Sequence, residues 1–352
     1  MTRNMFLKSI LCISIVVLTA VGCSASRDIK YISAELQVIE VDSMPDIKIL
    51  SEIRVLNDQV YLTYESKGGY GQRHIKQYVY DSKSQCLSYD KELFKKDDGF
   101  YQLFAPSLFE DDKGDLYSFD RDMPSVYSVS ADGMAVPTRN HLITTTAKTP
   151  YTLVHEARQA FFKSQDEFLF IGRNSFDGEQ ILLLSQNYAD SIIVDEICKI
   201  TYDKDAPSWM ANFGKATYNQ QKQVLAFVYQ LYPTIQFFKL KEGKTFKSSL
   251  PQSQNLEVIT EGADIWEQNC VQYRDITSNE QHIYALYWGE EFGTAYRKRE
   301  NDVGASQIMQ YDWDGNLLSI FKVDKLIEAI GVSGDDGYII CYDGDKMYRL
   351  CL

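Results

Sequence analysis

Short runs rich in Tyr, Phe, Val and Ile recur along the 352-residue chain, separated by Asp, Gly, Asn and Lys. No long segment keeps apolar positions at 3.6-residue spacing, so the pattern predicts a nearly all-β chain. Asp-Gly occurs six times, at Asp98-Gly99, Asp132-Gly133, Asp177-Gly178, Asp314-Gly315, Asp336-Gly337 and Asp343-Gly344. Each reads as a hairpin of type I′, a turn that needs positive φ at both central positions.

One strand type repeats: a polar turn followed by an apolar alternating run. It appears as Asp58-Gln59-Val60-Tyr61-Leu62, Gly114-Asp115-Leu116-Tyr117-Ser118-Phe119 and Asp166-Glu167-Phe168-Leu169-Phe170-Ile171. It returns as Lys222-Gln223-Val224-Leu225-Ala226-Phe227, Gln281-His282-Ile283-Tyr284-Ala285-Leu286 and Asp336-Gly337-Tyr338-Ile339-Ile340-Cys341. The fourth residues fall at 61, 117, 169, 225, 284 and 339, in steps of 56, 52, 56, 59 and 55. Two ordinary β-sandwiches would show strands every 8 to 12 residues and no such longer period.

A second strand follows each of these runs, for example Gln180 to Leu184 and Thr234 to Leu240. Candidates for an innermost strand precede five of them, at Pro106 to Glu110, Arg158 to Lys163, Trp209 to Tyr218, Val271 to Thr277 and Glu328 to Ser333. Four strands per period of about 56 residues make a propeller blade, and six blades fill the chain. The sixth copy ends at Leu352 after its third strand. The apolar run Tyr31 to Val41 can supply the missing fourth and close the ring. The predicted fold is therefore all-β, a six-bladed β-propeller with four-stranded blades closed by an N-terminal strand.

The N-terminus is different in kind. Arg3 and Lys8 precede an uncharged, mainly apolar run from Ile10 to Val21, too short to span a bilayer and typical of an export signal. The run ends in Ala20-Val21-Gly22-Cys23, which resembles the lipobox of bacterial lipoproteins. That resemblance implies cleavage before Cys23, lipid attachment there, and anchoring by two or three acyl chains. Ser24 rather than Asp follows the cysteine, which in that family directs sorting to the outer membrane. The expected organisation is a signal peptide over 1–22, a lipidated tether over 23–30 and a single propeller over 31–352. Removing the signal shifts the net charge from -13 to -15. So acidic a body argues against nucleic acid, whose binding runs on Lys and Arg.

The lipobox, the six-fold period, Leu108-Phe109-Glu110-Asp111-Asp112-Lys113-Gly114-Asp115-Leu116-Tyr117, Ile283-Tyr284-Ala285-Leu286-Tyr287 and Gln310-Tyr311-Asp312-Trp313-Asp314-Gly315-Asn316-Leu317 together resemble the TolB-like six-bladed β-propeller lipoproteins of Gram-negative bacteria. The resemblance implies fold and envelope location, with partner or ligand binding. It carries over no catalytic residue.

Catalytic signatures are sparse. The four histidines, His74, His141, His155 and His282, make no HExxH or HxH spacing, and no GxSxG elbow occurs. Ser88-Tyr89-Asp90-Lys91 matches SxxK only formally, in a polar hairpin. Asp312-Trp313-Asp314-Gly315-Asn316 starts like a calcium loop, but position 12 is Val323, so a turn accounts for it. Cys86, Cys198, Cys270, Cys341 and Cys351 make no zinc-type spacing, and Cys341 could pair with Cys351 only across neighbouring strands. No metal site or cofactor is expected, although a structural or channel Ca²⁺ is compatible with such a fold.

The loops after the repeated strands should open together on one face, where function usually lives. They place Arg73, Arg121, Arg173, Tyr232, Trp288 and Arg297 on a candidate ligand face. Converging arginines fit a carboxylate or other anion, while the alternative for each is a brace to a neighbouring acid. Two function classes follow. One is a membrane-anchored binding scaffold for a glycan, peptide or envelope protein, with Tyr and Trp as stacking surfaces. The other is a propeller enzyme of lactonase, lyase or glycosidase type working in the channel. The high acidity weighs toward a neutral glycan or a protein partner.

Overall fold

The computed structural model describes residues 29–69, 71–94, 103, 105–120, 125–139, 151–153, 159–174, 181–187, 193–202, 211–250, 258–259 and 268–352. The signal, Cys23 and most of the tether lie outside the described residues. The strands form six blades. Blade 1 is β3 (Ile47–Leu56), β4 (Gln59–Ser66), β5 (Arg73–Asp81) and β6 (Cys86–Leu93). Blade 2 is β7 (Pro106–Glu110), β8 (Leu116–Asp120), β9 (Ser125–Val129) and β10 (Ala135–Arg139). Blade 3 is β12 (Ala160–Ser164), β13 (Glu167–Asn174), β14 (Ile181–Asn187) and β15 (Ile193–Ile200), with the short β11 (Tyr151–Leu153) pairing further along the same edge of β13.

Blade 4 is β16 (Gly214–Asn219), β17 (Val224–Tyr229), β18 (Thr234–Lys239) and β19 (Lys244–Ser249). Blade 5 is β20 (Cys270–Ser278), β21 (His282–Glu291), β22 (Ser306–Asp312) and β23 (Leu317–Val323), with helix α1 (Phe292–Glu300) between its middle strands. Blade 6 is β24 (Ala329–Val332), β25 (Tyr338–Tyr342) and β26 (Met347–Cys351) from the C-terminus, completed by β2 (Leu36–Val41) from the N-terminus.

The repeated apolar runs are the second strands of the blades, and their burial on both faces explains their composition. On β17, Leu225, Phe227 and Tyr229 pack toward blade 3, while Val224, Ala226 and Val228 pack toward blade 5. On β25, Ile339 and Cys341 face blade 5 and Tyr338, Ile340 and Tyr342 face blade 1. The two-residue period of a strand thus feeds two separate cores. Among the described residues six such cores occur, one in each gap between neighbouring blades. At Gly214 the packing leaves no room for a side chain, because a Cβ would lie 1.9 Å from the Val228 carbonyl oxygen.

Ring closure is as expected, with one addition. Leu36, Val38 and Ile39 pair antiparallel with Leu350, Tyr348 and Met347. The chain then continues so that Glu40 and Val41 pair parallel with Cys86 and Leu87 of blade 1. Upstream, β1 (Lys30–Ser33) pairs parallel with β23, so the run expected to be one strand is two. Residues 30–41 therefore strap the rims of blades 5, 6 and 1.

Three further expectations need correction. The Asp-Gly turns are not type I′: φ is positive at Gly133, Gly315 and Gly344 but not at the aspartates before them, and at Asp336-Gly337 it is positive only at the aspartate. Around Asp312 the Gly315 N–H donates to the Asp312 carbonyl at 3.0 Å and Oδ1 accepts from the N–H groups of Asp314 and Asn316 at 3.0 and 2.8 Å. An aspartate-braced turn ending in left-handed glycine needs positive φ at one position only. Asp98-Gly99 and Asp177-Gly178 lie outside the described residues. The segment from Trp288 to Gly304, which reads as the longest loop of the candidate ligand face, is instead the end of β21 followed by α1, a helix too short and too polar to show helical periodicity. The inner strand of blade 1 was not anticipated, because bulges at Lys48 and Ser51 space its buried residues Ile47, Leu50 and Ile53 three apart instead of two.

Candidate functional site

The six inner strands β3, β7, β12, β16, β20 and β24 run in the same direction and surround a central channel of about 1260 Å³. At one end the inner strands turn into the first hairpin of each blade. The other end, where the inner strands begin, is partly roofed by Phe292 and Tyr296 of α1. The hairpin mouth is acidic, carrying Glu110, Asp111, Asp112 and Glu280 against Lys113. Enclosure there raises the Glu110 carboxyl above its ordinary value; Arg54 opposes this, and Asp111 and Glu280 add to it. The helix mouth carries Arg73.

The waist of the channel is crossed by an ion pair. Lys215 of blade 4 places its Nζ 2.7 Å from Oδ1 of Asp275 in blade 5 and 3.0 Å from the Ser51 carbonyl of blade 1, on the far side of the ring. Asp275 is 4% exposed, and its other oxygen accepts from the Ile330 N–H of blade 6 at 3.0 Å. One aspartate and one lysine thus tie four blades. Burial of this pair is tolerable because both oxygens and the ammonium are hydrogen-bonded. Arg54 is likewise held within its own strand by Glu52 at 2.7 Å.

Arg274, next to Asp275, is held differently. The register moves from Tyr273 opposite Tyr287 to Asp275 opposite Leu286, so Arg274 is an extra residue in a bulge. It lines the channel, and its guanidinium lies 5.5 Å from the ring centre of Trp288. Ser51, across the waist, is also a bulge residue.

Of the sequence-predicted face, Arg73 lines the channel at the start of β5, opposite Glu65. Arg121 lies outside the described residues. Arg173 sits on β13 opposite Ile181 and does not line the channel. Tyr232 is buried between blades, stacked on Tyr202 with centroids 4.0 Å apart. Trp288 is buried too, its Nε1 donating to the Ile327 carbonyl at 2.6 Å, and serves as a floor beneath Arg274. Arg297 is exposed on α1, bonded to Thr294 at 3.0 Å. The structure thus does not gather the five described residues of this face into one cluster. Loop position was the signal used, whereas the channel is walled by inner strands. A polar residue breaking an apolar inner strand, as in Val271-Gln272-Tyr273-Arg274-Asp275-Ile276, was the available clue.

The described histidines lie elsewhere. His74 Nδ1 is 3.0 Å from Glu92, and His282 Nδ1 is 2.6 Å from Asp336 in the next blade, where Tyr284 also donates at 2.9 Å. Among the described residues no group of three or more His, Cys, Asp or Glu side chains is placed to hold a metal. No described helix is long and apolar enough to cross a membrane. All five described cysteines are free: β25 and β26 are neighbours, but Cys341 faces Tyr348 and Cys351 faces Tyr338.

Residues 101–335 match the model of the TolB-like 6-blade propeller-like family. The chain belongs to that family. Among solved structures, a member of the DUF4221 family from Bacteroides vulgatus is similar at 13% identity and a TM-score of 0.60, over 91% of this chain and 98% of its own. A protein from Bacteroides fragilis described as exported is similar at 11% identity and a TM-score of 0.52, over 92% and 98%. At these identities the likeness is one of fold. No curated protein matches the sequence. In this TolB-like propeller, as the resemblance implied, the family supplies the scaffold and the site must be read from the channel.

Proposed function

We propose that this TolB-like propeller is an exported, lipid-anchored binding protein that holds a small ligand, a glycan or peptide element, in its central channel without transforming it. The observation that carries this reading is the state of the charges at the waist. Lys215 with Asp275 and Arg54 with Glu52 neutralise each other in place, and the first pair ties the blades, which suits a rigid preorganised receptor better than a poised acid and base. The tether supports the anchoring part: six residues lie between Cys23 and Lys30 on the rim of blade 5, so the seven steps reach at most about 25 Å. Such a length keeps the ring close to an outer-membrane surface.

The test has two parts. Cells making the wild-type chain or Cys23→Ala are labelled with palmitate and fractionated. Label and protein are expected in the membrane for the wild type and absent from it for the variant. The purified protein is then melted with panels of neutral sugars, acidic sugars and short peptides, and the added compounds are recovered and weighed by mass spectrometry. A rise in melting temperature with unchanged compound supports binding; a chemically altered compound overturns the non-catalytic reading.

A further inference from the structure

We infer that the channel recognises a carboxylate, and that Arg274 is the residue that takes it; this rests on the binding reading above and specifies its ligand. Three observations converge. The first is charge. Of the cations at the waist, Lys215 is held by Asp275 and Arg54 by Glu52, whereas Arg274 makes no ion pair or hydrogen bond among the described residues. Its Nε is buried without a partner. A buried donor left unmet costs about 1–3 kcal/mol, more when charged, and persists where something else fills it.

The second is backbone design. Arg274 and Ser51 are extra residues in bulges of two inner strands, and bulges re-aim side chains at functional sites. The two bulges stand at one level, because Lys215 Nζ reaches both the Ser51 carbonyl and Asp275. Ser51 Oγ is also buried and without a partner, as is Ser107 Oγ on the inner strand of blade 2, a residue 5% exposed. Arg274, Ser51 and Ser107 all line the channel, each with a buried donor that has no partner. Guanidinium and hydroxyl together offer the donors that a carboxylate's lone pairs accept.

The third is support. Trp288 lies under the guanidinium, and its indole is fixed by the Ile327 carbonyl, so the fork is preorganised rather than free to sweep the channel. Phe292 and Tyr296 at the helix mouth give an apolar surface for the rest of the ligand. One unpaired cation at the waist, among the described residues, fits a single negative charge. A polyanion would have to enter a protein whose formal charge is -13 for the full chain and -15 without the signal, and the acidic hairpin mouth directs an anion to the helix end.

The test uses 4-fluorobenzoate and its uncharged counterpart 4-fluorobenzamide, followed by fluorine NMR linewidths on the full chain in detergent. The acid should bind saturably, with Kd on the order of 1 mM, as expected for one charged contact and one covered ring. The amide should bind at least about tenfold more weakly. Arg274→Gln should abolish the difference. Arg274→Lys, which keeps charge but loses the fork, should weaken the acid severalfold, and it carries the test if the glutamine variant does not fold. Lys322→Gln on the rim should leave both titrations unchanged. Equal binding of acid and amide, or an acid titration indifferent to both Arg274 variants, overturns the carboxylate inference while leaving the channel a binding site. No binding of either compound up to about 20 mM, well above the expected Kd, overturns the inference, and if the wider panel also fails the binding reading falls with it.

Discussion

Replacing Asp275 with alanine should be among the most damaging single changes in the ring. The carboxylate is 4% exposed and accepts from Lys215 at 2.7 Å, from the Ile330 N–H at 3.0 Å and from its neighbour Ile276 at 3.0 Å. Removing one partner of a buried pair typically costs about 3–5 kcal/mol, because the survivor keeps its desolvation cost without compensation. The survivor here is Lys215, whose side chain is 23% exposed, so lumen water takes up part of the deficit and about 3 kcal/mol is expected. Asp275→Asn keeps an acceptor and should cost about half as much. Lys215→Met leaves the two N–H donors on the carboxylate and should cost about 2 kcal/mol. If the pair acts as one unit, the double variant Lys215→Met, Asp275→Asn should be less damaged than the sum by about 1–2 kcal/mol. Urea unfolding monitored by tryptophan fluorescence measures all four proteins. A loss under about 1 kcal/mol for Asp275→Ala, or strict additivity in the cycle, would refute the view that this pair ties the blades.

Other outcomes follow from features of the rim and cores. Ile39→Ala, which empties a buried site in the closing strand, should cost about 2–4 kcal/mol in the same unfolding assay, whereas Tyr31→Ala on the exposed β1 should cost under about 0.5. Burial, aided by neighbouring glutamates, pushes the Cys198 thiol up to about 12 and the Cys270 thiol up to about 11. Iodoacetamide at pH 8 should therefore modify exposed Cys351 well before Cys198, Cys270 or the buried Cys341, as peptide mass mapping would record. Burial first, then Asp90 and Glu110, pushes Tyr61 up to about 12, and burial does the same for Tyr311 and Tyr338. Their folded values exceed the unfolded value of 10, so this contribution is intact below pH 10 and lost as pH rises toward 12; melting temperature should fall across that window, and a flat profile would contradict it.

Much of the fold was legible because its strongest signal is repeated. The second strand of each blade is buried on both faces, as the alternating contacts of β17 and β25 show, so it must be apolar throughout and its recurrence marks the period. The closing strand was legible by arithmetic, since the last blade lacked one. The channel was much less legible. Its walls are inner strands in which bulges at Ser51 and Arg274 break the two-residue alternation. A residue displaced by a bulge carries no periodic signature and looks like a polar interruption. Trp288, inside β21, and Tyr232, between β17 and β18, both turn their rings into inter-blade cores, because an aromatic side chain there gains more from the core than from the lumen. Arg73 stands at the start of β5 and lines the channel, on a strand whose position the period determines.

The pairing of Ile39 with Met347 joins nearly the first and nearly the last folded residues of the chain. Synthesis and export both deliver the N-terminal end first, so β2 must wait for its partner until all six blades exist. Until then the nascent ring is an open crescent, with the outer edge of β26 or the strap itself exposed to unwanted pairing. Closure is a contact of very high sequence separation, the kind that makes folding slow, so it falls at the end of the pathway. The crescent stage is when this protein is most exposed to aggregation, and when a holding chaperone would matter most.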